Sequence, residues 1–142
     1  MLQAVIDTIL TVTFWLYFAN AILLIIHEIE SAYWKEWELF KMKGGVTFFL
    51  VLHFPIVAAI MYGLLELYQS SLVGIIFSIV ICLGGIFAFS IHTYFIRKGH
   101  DEFKLPISKI ILISLLVISV VQLILTLIAF SAPITTICGV CS

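Results

Sequence analysis

Residues 72–96 read LVGIIFSIVICLGGIFAFSIHTYFI. The run holds no Asp, Glu, Lys or Arg. About 20 apolar residues suffice to cross the hydrocarbon of a bilayer at a helical rise of 1.5 Å per residue. Backbone in lipid must satisfy its own hydrogen bonds, so a run of this length is a helix. Three more runs take the same reading, at about 2–29, 44–68 and 107–130. The whole chain of 142 residues is 63% hydrophobic and 11% charged, where a soluble domain carries about 25% charge. The expectation is therefore all-α: an integral membrane four-helix bundle forming one domain over 1–142, with no room for a separate soluble module.

The run at 72–96 also has an inside and an outside. Gly74, Ser78, Cys82, Gly85 and Ala88 recur at steps of 4, 4, 3 and 3, which keeps them on one side of a 3.6-residue helix. Small stripes let helices pack closely in lipid. Four residues beyond Ala88, on that same side, comes His92. The short connector Tyr68–Leu72 makes the second and third helices antiparallel neighbours. In the last run Ser119, Gln122 and Thr126 share a face and are expected to hydrogen-bond inside the bundle.

Charge supplies the orientation. Lys35, Lys41 and Lys43 lie between the first and second runs; Arg97, Lys98, Lys104 and Lys109 lie around the junction of the third and fourth. There are no other lysines or arginines. Basic loops stay on the cytoplasmic side, so both termini are expected outside, in a bacterial inner membrane. The first run has no basic start, and Ala19-Asn20-Ala21 is followed by more apolar sequence. It reads as a permanent helix rather than a cleaved signal. A net charge of −1 gives no reason to expect nucleic acid. The segment Glu30–Lys43 spaces Trp34, Trp37 and Phe40 three apart among Lys and Glu. It reads as an interfacial amphipathic helix, or as an extension of the first helix, with a solvated charged face.

The ionisable residues gather at the same end. All four histidines, and six acids (Glu28, Glu30, Glu36, Glu38, Asp101 and Glu102), fall in the half marked by the basic loops. His53 lies roughly 13 Å into its helix, and Asn20 roughly 10 Å deeper than His27. Polar residues at such depth are functional candidates. His27 and Glu30 are three apart and can point at one centre. With His53 and His92 they form a candidate metal set of three imidazoles and one carboxylate, suited to a divalent transition metal such as Zn or Fe. Glu28 is then the candidate catalytic base, and Asn20 the candidate group for orienting a bound ligand. Pro55 cannot donate to the carbonyl of Val51, which offers His53 a backbone partner and kinks the helix.

The leading reading is a small membrane metalloenzyme acting on a lipid-soluble substrate. Others use the same residues. The histidines suit a non-catalytic proton or ion pathway, or a subunit of a homo-oligomer or larger membrane complex. His27 and His92, at similar depth, suit the two axial positions of a haem. Cys138-Gly-Val-Cys141 suits thiol–disulfide exchange.

The stretch HEIESAYWKEWELF, His27–Phe40, resembles an uncharacterised family of small bacterial four-helix membrane proteins that share an HEI(D/E)xAYWxEWE segment after the first helix. A looser resemblance is to membrane proteins with a His-x-x-Glu-Glu signature; here His27-x-x-Glu30 is followed by Ser31. The resemblance implies that the His–Glu segment is the family's functional feature, and supplies no reaction.

Overall fold

The computed structural model describes residues 1–100 and 103–131. Asp101, Glu102, Cys138 and Cys141 lie outside the described residues. Five helices follow in order: α1 (Leu2–Tyr33), α2 (Glu36–Leu39), α3 (Gly45–Tyr68), α4 (Leu72–Arg97) and α5 (Pro106–Ser131). All but α2 are long and apolar enough to cross a membrane. The four-helix bundle expected from the apolar runs is the fold observed, and Pro106 opens α5, where its missing N–H costs nothing.

Around the bundle, α1 packs on α5 and α3, and α4 packs on α5 and α3. α3 and α5 therefore occupy opposite corners. Large apolar side chains such as Trp15, Phe54 and Phe87 point outward and are exposed, as lipid-facing positions should be. What distinguishes the interior is small or polar. Gly74, Ser78, Cys82, Gly85, Ala88 and His92 are all buried along α4. A Cβ on Gly85 would run into the Ser119 side chain, and one on Gly74 would meet the Leu67 backbone. The stripe thus sets how closely α4 meets α5 and α3.

A polar ladder crosses the centre. Asn20 Nδ2 donates to Ser119 Oγ at 3.1 Å and to Gln122 Oε1 at 2.9 Å. Gln122 Nε2 donates to Ser78 Oγ at 2.9 Å, and Ser78 Oγ lies 2.7 Å from Thr126 Oγ1. All five side chains are fully buried. The ladder ties α1, α4 and α5 together and leaves α3 out.

At one end of the bundle the α3–α4 turn is tight. Ser71 caps α4 by accepting from the Gly74 amide at 3.0 Å, and its hydroxyl donates to Glu66 Oε2 at 2.6 Å. The other end carries every lysine and arginine, all exposed; we call it the basic end. Here α1 runs on to Tyr33, four residues past the end of the apolar run. Lys35 then takes a left-handed conformation (φ 53°) that folds α2 back across the helix ends. Glu36 is consequently buried, which corrects the expectation of a wholly solvated charged face for this segment.

Candidate functional site at the basic end

The C-terminal turns of α1 and α4, the first half of α3 and the short α2 meet at the basic end. They bring the sequence-derived candidates into three separate pairings rather than one. His27 and His92 touch directly, Nε2 to Nε2 at 3.1 Å, and Glu36 Oε1 stands 3.5 Å from His92 Nε2. His53 and Glu28 form a second pair, Nε2 to Oε2 at 2.6 Å. Glu30 is turned aside and accepts a hydrogen bond from Ser108 Oγ of α5. Asn20 belongs to the central ladder. Among the described residues, no group of three or more His, Cys, Asp or Glu side chains is disposed to hold a metal ion.

Proton positions follow from these distances. His53 Nδ1 is 2.7 Å from the Phe49 carbonyl oxygen, so Nδ1 carries a hydrogen and donates it. The backbone partner is Phe49, one turn back, and not Val51 freed by Pro55. His53 Nε2 then faces a carboxylate oxygen, and a proton must lie between them. The Glu28–His53 pair is either imidazolium with carboxylate or imidazole with carboxylic acid, and has no net charge in both cases. The His27–His92 contact likewise needs one Nε2 to donate and the other to accept. The basic end therefore holds two shared protons.

Phe103 closes this end. It is fully buried in a left-handed conformation (φ 64°). Its ring centroid lies 3.9 Å from that of His92 and 6.0 Å from that of His27. Behind it, His27 Nδ1, His92 Nδ1 and Trp34 Nε1 are buried without a hydrogen-bond partner. Burial also pushes the Glu36 carboxyl above the usual carboxylate range.

These groups form the polar end of a cavity of about 450 Å³ between α1, α3 and α4, within the range of ligand pockets, ~300–1,000 Å³. Its shaft is apolar and includes Leu24, Ile60, Phe77 and Ile81; its end is His27, Glu28, Glu36, His53 and His92. From Phe77 to His92 the shaft follows α4 for roughly 22 Å. Tyr17 closes the far end, fully buried, with its hydroxyl donating to the Ile60 carbonyl at 2.9 Å. Leu52 and Ile56 of α3 and Val80 and Phe87 of α4 line the cavity and are also exposed, at 41%, 40%, 56% and 65%. The cavity thus opens sideways, between α3 and α4, toward lipid.

A family model described as a family of unknown function, DUF6713, matches residues 13–129. The chain belongs to the DUF6713 family. That span takes in the His27–Phe40 segment and every lining residue of the cavity, so both lie within the DUF6713 region. No curated protein and no solved structure gives a match.

Sequence reasoning placed His27, Glu28, His53 and His92 at this end, and the structure puts all four on the cavity wall. It placed Glu36 at this end but gave it a solvated face rather than a place beside His92, because the reversal at Lys35 has no glycine to signal it. It also missed Phe103, and the cavity itself, which forms only where α1, α3 and α4 come together.

Proposed function

We propose that this protein binds a lipid-soluble molecule inside the membrane, with its tail in the apolar shaft and its polar end against Glu28–His53 and His27–His92. The observation that carries this reading is the shape and lining of the cavity: a long apolar shaft, open to lipid, ending in five ionisable side chains. Glu28 and His53 share a proton at 2.6 Å. Such a pair can give a proton to, or take one from, a bound hydroxyl, carbonyl or amine, with the charge left on the pair balanced by the opposite change on the bound head. Binding, with proton exchange at the bound head, is thus the activity the residues fit. The basic end faces the cytoplasm in this reading, because all seven lysines and arginines lie there.

The test is organic extraction of protein purified in mild detergent, followed by mass spectrometry. One amphiphile should be enriched near one copy per chain, above bulk lipid. Gly84 lines the cavity, and a Cβ there meets nothing within 4 Å. Gly84→Trp should therefore fold and lose the amphiphile. Extracts that match bulk lipid, or that do not change in Gly84→Trp, would overturn the reading.

A further inference from the structure

The polar end of the cavity has an unusual charge balance. It presents two carboxylates, Glu28 and Glu36, and three imidazoles, and no lysine or arginine lines any part of the cavity. The seven lysines and arginines of the chain are all exposed. Those whose contacts are defined look elsewhere: Lys35 Nζ lies 3.9 Å from Glu38, and Lys98 Nζ lies 5.5 Å from the Tyr94 ring centroid. A phosphate or carboxylate head is normally held by guanidinium or ammonium groups. This cavity offers none, and would set such a head against carboxylates.

The imidazoles do not change that balance. His53 is committed on both nitrogens, to the Phe49 carbonyl and to Glu28. His27 and His92 are committed to each other through Nε2. What remains for an incoming head is the acceptor capacity of Glu28 and Glu36 beside neutral imidazoles, one of which keeps an unpartnered Nδ1–H, and no cation. Glu28 and Glu36 side chains keep 23% and 11% exposure, so they are open to a molecule in the cavity.

We infer that the cavity selects an amphiphile whose head is uncharged or cationic and donates hydrogen bonds, such as an alcohol or an amine, and rejects anionic heads. Fatty acids and anionic phospholipids are thereby excluded at the head, although their chains fit the shaft. The selection is made by the absence of a cation as much as by the presence of the two glutamates. This inference rests on the cavity being a binding site.

The test compares four C16 probes of one chain length by native mass spectrometry at neutral pH: hexadecylamine, hexadecanol, palmitate and hexadecyl phosphate. The amine and the alcohol should bind one per chain, about tenfold or more tighter than either anion. In Glu28→Gln with Glu36→Gln the preference for the amine over palmitate should collapse. Palmitate or hexadecyl phosphate binding the wild-type protein as tightly as the amine would overturn the selection while leaving the cavity as a site. Binding of all four that is indifferent to Gly84→Trp would remove the site and the selection together. The wild-type series needs no variant to fold.

Discussion

Replacing Asn20 with leucine separates structural from functional use of a deeply placed polar residue of α1. Asn20 is fully buried and is absent from the cavity wall. Its amide nitrogen donates to Ser119 and Gln122, at 3.1 and 2.9 Å. Interhelical hydrogen bonds inside membrane proteins average about 0.6 kcal/mol and reach about 1.7. Two such bonds give about 1.2 kcal/mol, and leaving Gln122 Oε1 without its donor pushes the cost up. The expected loss is about 1–3 kcal/mol of unfolding free energy, measured by reversible denaturation in micelles. Paired with Gln122→Leu in a double-mutant cycle, the coupling should be about 0.6–1.7 kcal/mol. Hexadecylamine binding, measured on the folded fraction, should not change. A loss below about 0.5 kcal/mol, or weakened binding at unchanged stability, would refute the ladder as Asn20's purpose. It would return the residue to the ligand-orienting role that its depth in the sequence suggests.

Two further outcomes are expected. Burial raises the Glu36 carboxyl above its ordinary value of 4.5, so the folded state holds that proton more tightly than the unfolded one. The resulting stability is complete below the ordinary carboxylate pKa and is lost as pH rises through the raised value. Thermal melts in micelles between about pH 4 and pH 8 should therefore fall less steeply with pH in Glu36→Gln than in the wild type; identical slopes would contradict the burial of this carboxyl. Reporter fusions in bacteria should place both termini outside and the connector after α2 inside, and the opposite pattern would reverse the compartment faced by the cavity's polar end.

The fold was legible because lipid leaves one option to a long apolar run. The limits 72–96 and 107–130 differ by one residue at a single end or at each end from α4 (Leu72–Arg97) and α5 (Pro106–Ser131). The α4 stripe was legible for a related reason: only small side chains let backbones approach, so Gly85 against Ser119 is written in residue size. The pairing of the histidines was not. A three-residue step between His27 and Glu30 says that both can face one centre; it does not say which neighbour each meets. Glu30 found Ser108, a residue 78 positions away, and Glu36 took the place beside His92 because of a left-handed turn at Lys35. Ligand choice here depends on contacts between distant segments, and helical periodicity within one segment carries no information about them.

The division of the bundle into a tied part and an open part follows from the same contacts. The ladder of Asn20, Ser119, Gln122, Ser78 and Thr126 joins α1, α4 and α5, each by side-chain hydrogen bonds in the apolar interior. α3 receives none of these. Among the described residues, its polar ties to other helices include Glu66 to Ser71, Tyr17 to the Ile60 carbonyl, and His53 to Glu28. The cavity opens along the stretch of α3 between the last two of these, where only apolar contacts hold it to α4. Fewer hydrogen bonds hold α3 there than hold α5, which the buried ladder ties to both α1 and α4. The polar ties that α3 does make to α1, Tyr17 to the Ile60 carbonyl and Glu28 to His53, thus lie on either side of the stretch where the cavity opens.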